Sequence, residues 1–292
     1  MAISPKSVQE LREKTGVGMM ECKRALEEAG GDMEEAVKIL RKKGIATAAK
    51  KSARAASDGL VGAFIAPEGK AGSLVEVNCE TDFVAKTEDF QSLVSGLCRM
   101  VAEKAPAGVD ALLAEAFEGG HSVKDTLVAK VAKLGENIQL RRFERFQGDL
   151  VASYIHAGGK IGVLMEIGLG SPAAGGSEDV KGLVKDLCMQ VAASAPRFVN
   201  RQEVSEDVLQ GEREIYRAQV IAAGKPEAIA DKIVDGKMNK FFEETCLVEQ
   251  PFVRDTAQRV QDTIKARGGQ GFTVKRFARF VLGEGLKSAA AE

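Results

Sequence analysis

Tryptophan is absent from this 292-residue chain, tyrosine and histidine occur twice each, and aromatic residues amount to 5%. The two histidines, His121 and His156, leave little room for histidine-based catalysis. No aromatic residue precedes Phe64, so the basic N-terminal stretch lacks the stacking surfaces that accompany single-strand nucleic-acid binding. Neither sign of charge dominates, because 41 Lys and Arg against 42 Asp and Glu leave a net −1. That balance removes the whole-chain argument for a nucleic-acid-binding or membrane-surface protein. Long apolar runs are missing too: no window of about 18 apolar residues is available to span a bilayer. The polar start MAISPKSVQELREK lacks the apolar stretch of a signal peptide. Five cysteines (Cys22, Cys79, Cys98, Cys188 and Cys246) are odd in number and dispersed in apolar contexts. They fit reduced core residues of a cytoplasmic protein, not a disulfide or zinc framework. What the chain does have is core material, 45% hydrophobic against 28% charged, at a length that suggests two or three domains.

Ser4-Pro5 supplies an N-cap and a proline for the first helical turn, with Val8 and Leu11 behind them. Thr15-Gly16-Val17-Gly18 breaks that helix. A second helix, Met19 to Ala29, carries Met19, Cys22, Ala25, Leu26 and Ala29 at helical spacing, and Gly30-Gly31 stops it. Asp32 caps a third, with Ala36, Val37 and Leu40 inward and an expected end at Gly44. So small a bundle suits a docking unit. Arg41-Lys42-Lys43, Lys50-Lys51 and Arg54 follow in an Ala/Ser-rich stretch, and residues 1–57 carry 12 basic against 8 acidic side chains. That stretch reads either as a solvated linker or as a basic arm for an acidic partner surface or nucleic acid.

A shift of 90 residues superimposes the chain on itself. Leu60-Val61, Ile65, Gly69-Lys70, Gly72, Leu74 and Glu76 fall on Leu150-Val151, Ile155, Gly159-Lys160, Gly162, Leu164 and Glu166. Further on, Glu88-Asp89, Leu93-Val94, Leu97-Cys98 and Ala105-Pro106 fall on Glu178-Asp179, Leu183-Val184, Leu187-Cys188 and Ala195-Pro196. Two copies of one structural unit follow, each a β-hairpin with a Gly-Lys turn and then a helix, with Thr87 and Ser177 at equivalent N-caps. A closing strand, Ile138 to Phe146, matches Phe272 to Phe280 at an offset of 134, so the second copy holds about 44 more residues. Those extra residues read as a helical hairpin, Ser205 to Ala223 and Glu227 to about Glu244, turned by Gly224-Lys225-Pro226. Val208, Ile215 and Val220 are expected to face Ile229, Ile233 and Phe241. The hairpin serves either stability or protein interaction. The fold class is α+β.

The duplication is also an internal control. Between second strand and helix, copy one reads Glu80-Thr81-Asp82-Phe83-Val84-Ala85-Lys86, where copy two reads Gly170-Ser171-Pro172-Ala173-Ala174-Gly175-Gly176. The fold therefore does not require an acid and a large aromatic there. Asp82 as a cap and Phe83 as a buried staple remain one reading; a wedge for insertion into a partner is the other. Enzyme readings fare poorly. Gly168-Leu169-Gly170-Ser171-Pro172-Ala173 mimics a dinucleotide-binding fingerprint, but its strands form a hairpin and Pro172 and Gly175-Gly176 delay the helix. Each Gly-Lys pair lacks a following Ser or Thr, and no C-x-x-C or H-E-x-x-H occurs. Cys79 reads as a buried strand residue and His156 as a surface or partly packed one.

Two ungapped stretches resemble the signature segments of the bacterial elongation factor Ts family, the guanine-nucleotide exchange factors of the GTPase elongation factor Tu. They are Leu11-Arg12-Glu13-Lys14-Thr15-Gly16-Val17-Gly18-Met19-Met20-Glu21-Cys22-Lys23-Arg24-Ala25-Leu26 and Glu76-Val77-Asn78-Cys79-Glu80-Thr81-Asp82-Phe83-Val84-Ala85-Lys86. The resemblance covers nearly the whole chain, including the hairpin before Leu247-Val248-Glu249-Gln250-Pro251-Phe252-Val253. It implies an N-terminal three-helix bundle similar to ubiquitin-associated (UBA-like) domains, a duplicated core of small antiparallel sheets with helices, and an inserted antiparallel helical hairpin. The implied division is 1–55 for the docking module and basic linker, 56–147 for the first copy and 148–282 for the second. The hairpin interrupts the second copy at about 200–244, and 283–292 is a short Ala-rich tail where some relatives carry a longer helix. The resemblance assigns Thr81, Asp82, Phe83 and Val84 to displacement of Mg²⁺ from elongation factor Tu, with Phe83 as the wedge. It assigns Arg12, Met19, Met20 and Lys23 to docking on the nucleotide-binding domain, with Lys51 adding a contact and His156 facing the third domain. Also implied are no covalent chemistry, no cofactor or metal of its own, no direct nucleic-acid or membrane partner, and a homodimer as an open alternative.

Overall fold

Ser4 Oγ accepts the Ser7 N–H at 3.0 Å and Pro5 occupies the first turn of α1 (Pro5–Thr15) in the computed structural model, which describes residues 3–286. The helix stops at Gly16, whose φ of 67° is left-handed backbone. After α2 (Met19–Glu28), the Asp32 carboxylate accepts the Glu35 N–H at 2.8 Å and opens α3 (Met33–Lys51). Val8, Leu11, Cys22, Ala25, Leu26, Ala36 and Leu40 form the core of this bundle.

The first repeat comprises β1 (Asp58–Ile65), β2 (Ala71–Cys79), the short α4 (Asp82–Ala85), α5 (Glu88–Lys104), α6 (Val109–Ala114), α7 (Val123–Leu134) and β3 (Gln139–Gln147). Its sheet has the order β1-β2-β3. A Cβ at Gly62 would lie 2.5 Å from Val94 Cγ1 and 2.9 Å from Cys98 Sγ, so glycine lets β1 lie close on α5. Here one expectation fails: α3 does not end at Gly44. That residue is buried mid-helix, and its Cβ position lies 3.6 Å from Ala132 Cβ and 3.8 Å from Val128 Cγ1 of α7. Glycine there serves helix packing, and the basic stretch through Lys51 is helical, not linker.

The second repeat runs β4 (Leu150–His156), β5 (Ile161–Gly168), α8 (Glu178–Ser194), α9 (Glu206–Ala222), α10 (Glu227–Thr245), β6 (Pro251–Phe252), β7 (Asp255–Arg259), α11 (Val260–Arg267) and β8 (Thr273–Val281). β4 and β5 are antiparallel, Leu150 opposite Ile167 and His156 opposite Ile161, and the sheet order is β4-β5-β8. Val163, Met165 and Ile167 bury against Leu183, Leu187, Cys188 and Val191 of α8. The duplication reaches single bonds: Arg142 Nε donates to Glu76 at 2.6 Å, and Arg276 Nε to Glu166 at 2.7 Å. Ser177 occupies the expected N-cap position of α8 without a side-chain hydrogen bond. In the hairpin, α9 and α10 bury Val220, Ala230, Val234, Met238 and Phe241, with Tyr216 and Ile233 beside them. Ile215 and Ile229, expected in that seam, are 53% and 46% exposed. Ile215 stands five residues from Val220, which puts the two about 140° apart around the helix.

By compactness the chain falls into two units. One holds the residues up to Gly62, Val75–Phe143 and those from Val281; the other holds Ala63–Leu74 and Glu144–Phe280. The Ala-rich tail beyond Leu286 lies outside the described residues. No helix among the described residues is long and apolar enough to cross a membrane.

Candidate functional site

β2 ends at Cys79, a buried residue whose thiol donates to the Thr81 carbonyl at 3.1 Å. Thr81 then caps α4, accepting the Val84 N–H on its hydroxyl. A helix of four residues has two sides to distribute. Val84 and Ala85 turn inward and are buried, which forces their neighbour Phe83 outward to 79% exposure. The staple reading of Phe83 is thereby excluded, and so is Asp82 as the cap. Asp82 follows the cap and pairs with Lys86 at 2.6 Å, and the Lys86 ammonium lies 6.0 Å from the Phe83 ring centre. A single exposed apolar residue is ordinary in itself; Phe83 stands out because copy two carries alanine at the same place.

The segment is fixed from one side by a residue that the sequence reading missed. Glu136, just past α7, accepts the N–H groups of Glu80 and Thr81 on Oε2, both at 3.0 Å, and the Thr81 hydroxyl on Oε1 at 2.6 Å. Glu80 answers by accepting the Asn137 N–H at 2.7 Å. Asn137 Nδ2 donates in turn to the carbonyls of Ser52 and Arg54, at 3.4 and 2.8 Å. These partners are more than 50 residues apart in sequence, beyond the reach of periodicity arguments. The signal available was the same copy comparison that singled out Phe83, because Gln270 stands where Glu136 does in copy two.

The N-terminal candidates cluster around the turn from α1 to α2. Met19 and Met20 are 45% and 59% exposed at the start of α2, with Arg12 and Lys23 exposed on the flanking turns. Lys23 pairs loosely with Glu27 at 3.8 Å. Unbranched thioether side chains are flexible and polarisable, so they adapt to uneven apolar surfaces. Lys51 is half-buried and donates its ammonium to the Gly135 carbonyl. His156 lies in the other unit, exposed at the end of β4, where Nδ1 is 3.1 Å from the Tyr154 hydroxyl. It lines a cavity of about 450 Å³ with Tyr154, Met189, Val253, Arg254 and Arg279. Among the described residues no group of His, Cys, Asp or Glu is arranged to hold a metal ion.

The sequence model described as elongation factor TS matches residues 80–284. The elongation factor Ts of Trichlorobacter lovleyi is 48% identical over 299 residues, covering 100% of this chain and 96% of that protein. Proteins of the same name from Clostridium botulinum and Clostridium perfringens are 45% and 44% identical, each alignment covering 98% of this chain and 94% of the relative.

Proposed function

The chain belongs to the elongation factor Ts family, and we propose on that footing that it is the guanine-nucleotide exchange factor of elongation factor Tu. The observation that carries the reading is Phe83, a phenyl ring held 79% exposed on a helix otherwise anchored by Val84 and Ala85. The Thr81–Val84 segment meets the GTPase through its exposed side, with Val84 anchoring it from within, and Phe83 separates two of the partner's helices so that Mg²⁺ loses its hold on the GDP phosphates. Asp82 supplies polar contacts beside the ring. Arg12, Met19, Met20 and Lys23 dock on the nucleotide-binding domain, Lys51 adds a contact, and His156 meets the third domain.

The factor performs no covalent chemistry and works by linkage. It binds the empty GTPase better than the GDP-bound form, so factor and nucleotide weaken each other by one factor. Shifting the partner from mostly occupied to mostly empty by about 10⁴ requires about 5.5 kcal/mol of differential affinity.

The test is release of a fluorescent GDP analogue from elongation factor Tu in excess unlabelled GDP, with and without this chain. Acceleration by substoichiometric amounts of the chain is the expected result. Release at the spontaneous rate, with the chain folded, would refute the exchange reading.

A further inference from the structure

We infer that Glu136 is a positioning residue for exchange, holding the Thr81–Val84 segment in the posture that presents Phe83. The inference rests on the reading of Phe83 as the inserted side chain. Glu136 acts on Glu80 and Thr81, the two residues that lead into α4.

One carboxylate there accepts three hydrogen bonds, from Glu80 N, Thr81 N and Thr81 Oγ1. Bonds to an ionised acceptor are the strong class. The grip is reciprocal, because Glu80 takes the Asn137 N–H. A four-residue helix has too few internal bonds to fix its own direction, so the posture of Phe83 depends on the burial of Val84 and Ala85 and on what holds the segment before them. The same junction also reaches the end of α3, through Lys51 to the Gly135 carbonyl and Asn137 to the carbonyls of Ser52 and Arg54.

Copy two closes the equivalent junction differently: Gln270 stands at the place of Glu136, and the carboxylate nearby, Asp149, takes only the Leu169 N–H at 3.1 Å, one residue earlier. Gly170 stands at the place of Glu80, and its Cβ position would be 2.2 Å from the Gln270 carbonyl oxygen, so backbone packs directly on backbone. The fold can therefore join these two segments with glycine. The three-bond grip by the residue that follows α7 occurs in the copy that carries Phe83.

The test is a double-mutant cycle on fluorescent-GDP release from elongation factor Tu, with the full chain as wild type, Glu136→Ala, Phe83→Ala and the double variant. Glu136→Gln is the isosteric second variant, used alongside in case the alanine variant does not fold. Glu136→Ala is expected to slow exchange by about tenfold, with Glu136→Gln between it and wild type, since the amide oxygen still accepts the two N–H groups. The loss should appear in the maximal rate, not in the half-saturating concentration. On top of Phe83→Ala, the Glu136 change should add less than about twofold, the signature of residues that act as one unit. Hydrogen exchange at the Glu80 and Thr81 amides should speed up while β2 and α5 stay protected. A folded Glu136 variant with wild-type exchange, beside a slow Phe83→Ala, would overturn the inference. So would equal losses in both backgrounds, which would put Glu136 in the general fold. If Phe83→Ala is itself fully active, the underlying reading fails, and the same cycle shows that separately.

Discussion

Replacing Phe83 by alanine separates a partner-facing role from a structural one because the ring touches so little of its own chain. A phenylalanine buries about 200 Å² when enclosed, and 79% of Phe83 is in water. About 150 Å² is thus available for burial in a complex, worth ~4 kcal/mol at about 25 cal/mol per Å². Subtracting what an alanine methyl retains leaves ~3 kcal/mol, which corresponds to about a hundredfold in the exchange rate constant. In the free chain the same change removes the cation–π approach of Lys86, 6.0 Å from the ring centre, and the packing of the roughly one-fifth of the residue that is covered. Stability should move by less than about 0.5 kcal/mol. Val84, Ala85 and the Asp82–Lys86 pair remain, so α4 is retained. Stopped-flow release of fluorescent GDP, read beside a thermal melt, measures both quantities. An exchange rate within about twofold of wild type, with the melt unchanged, would refute the insertion argument. A large drop in melting temperature would instead make Phe83 part of the core, contrary to its exposure.

Met19→Ala with Met20→Ala should raise the concentration of factor needed for half-maximal exchange by about tenfold, because the partner loses the apolar contact of two thioether side chains; an unchanged titration would remove α2 from the interface. Glu76 should make folding acid-sensitive. Burial would raise its carboxyl, but the Gly283 N–H and the Arg141 and Arg142 guanidinium groups outweigh this and hold it below its ordinary 4.5. Below that value the unfolded chain takes up a proton that the folded chain still refuses. Stability is therefore complete above it and is lost as pH falls through the folded value; Glu76→Gln should flatten this acid limb in melts recorded from neutral pH downward. Burial pushes the thiols of Cys98 and Cys188, equivalent positions in the two repeats, to about 12. Both should resist thiol reagents at neutral pH until the chain unfolds, and rapid native labelling at either would contradict the packing of α5 and α8.

Much of this architecture is legible in sequence because one unit is written twice. The offset of 90 residues aligned Glu76 with Glu166, the offset of 134 aligned Arg142 with Arg276, and both pairs meet through the same atoms. Caps at Ser4, Asp32 and Thr87 were legible for a different reason, since a side-chain acceptor three residues ahead of an N–H is a local arrangement. Gly44 was misread because helix termination was judged from α3 alone, whereas the glycine answers to Val128 and Ala132 across the packing interface. The seam of the hairpin was misread in part because α9 offers two apolar arcs. Tyr216, four residues before Val220, lies on the buried one, and Ile215 does not. Glu136 escaped notice because its meaning lies in bonds to residues 55 and 56 positions away.

The Glu136 junction bears on how docking is converted into exchange. A surface that binds the GDP-bound and empty forms of a partner equally shifts no equilibrium, however tightly it binds. Burial of Phe83 at ~3 kcal/mol falls short of the ~5.5 kcal/mol that a 10⁴ shift demands. The remainder has to come from docking contacts that feel the partner's conformation. Contacts on the N-terminal bundle can do so only if the bundle and the Phe83 segment move as one body. A hinged connection would let the bundle dock on the GDP-bound form with the wedge outside. On the proposed reading that requirement falls on the bonds from α3 through Gly135, Glu136 and Asn137 to Glu80 and Thr81. Loosening them should therefore leave the chain able to bind the GDP-bound GTPase and unable to empty it.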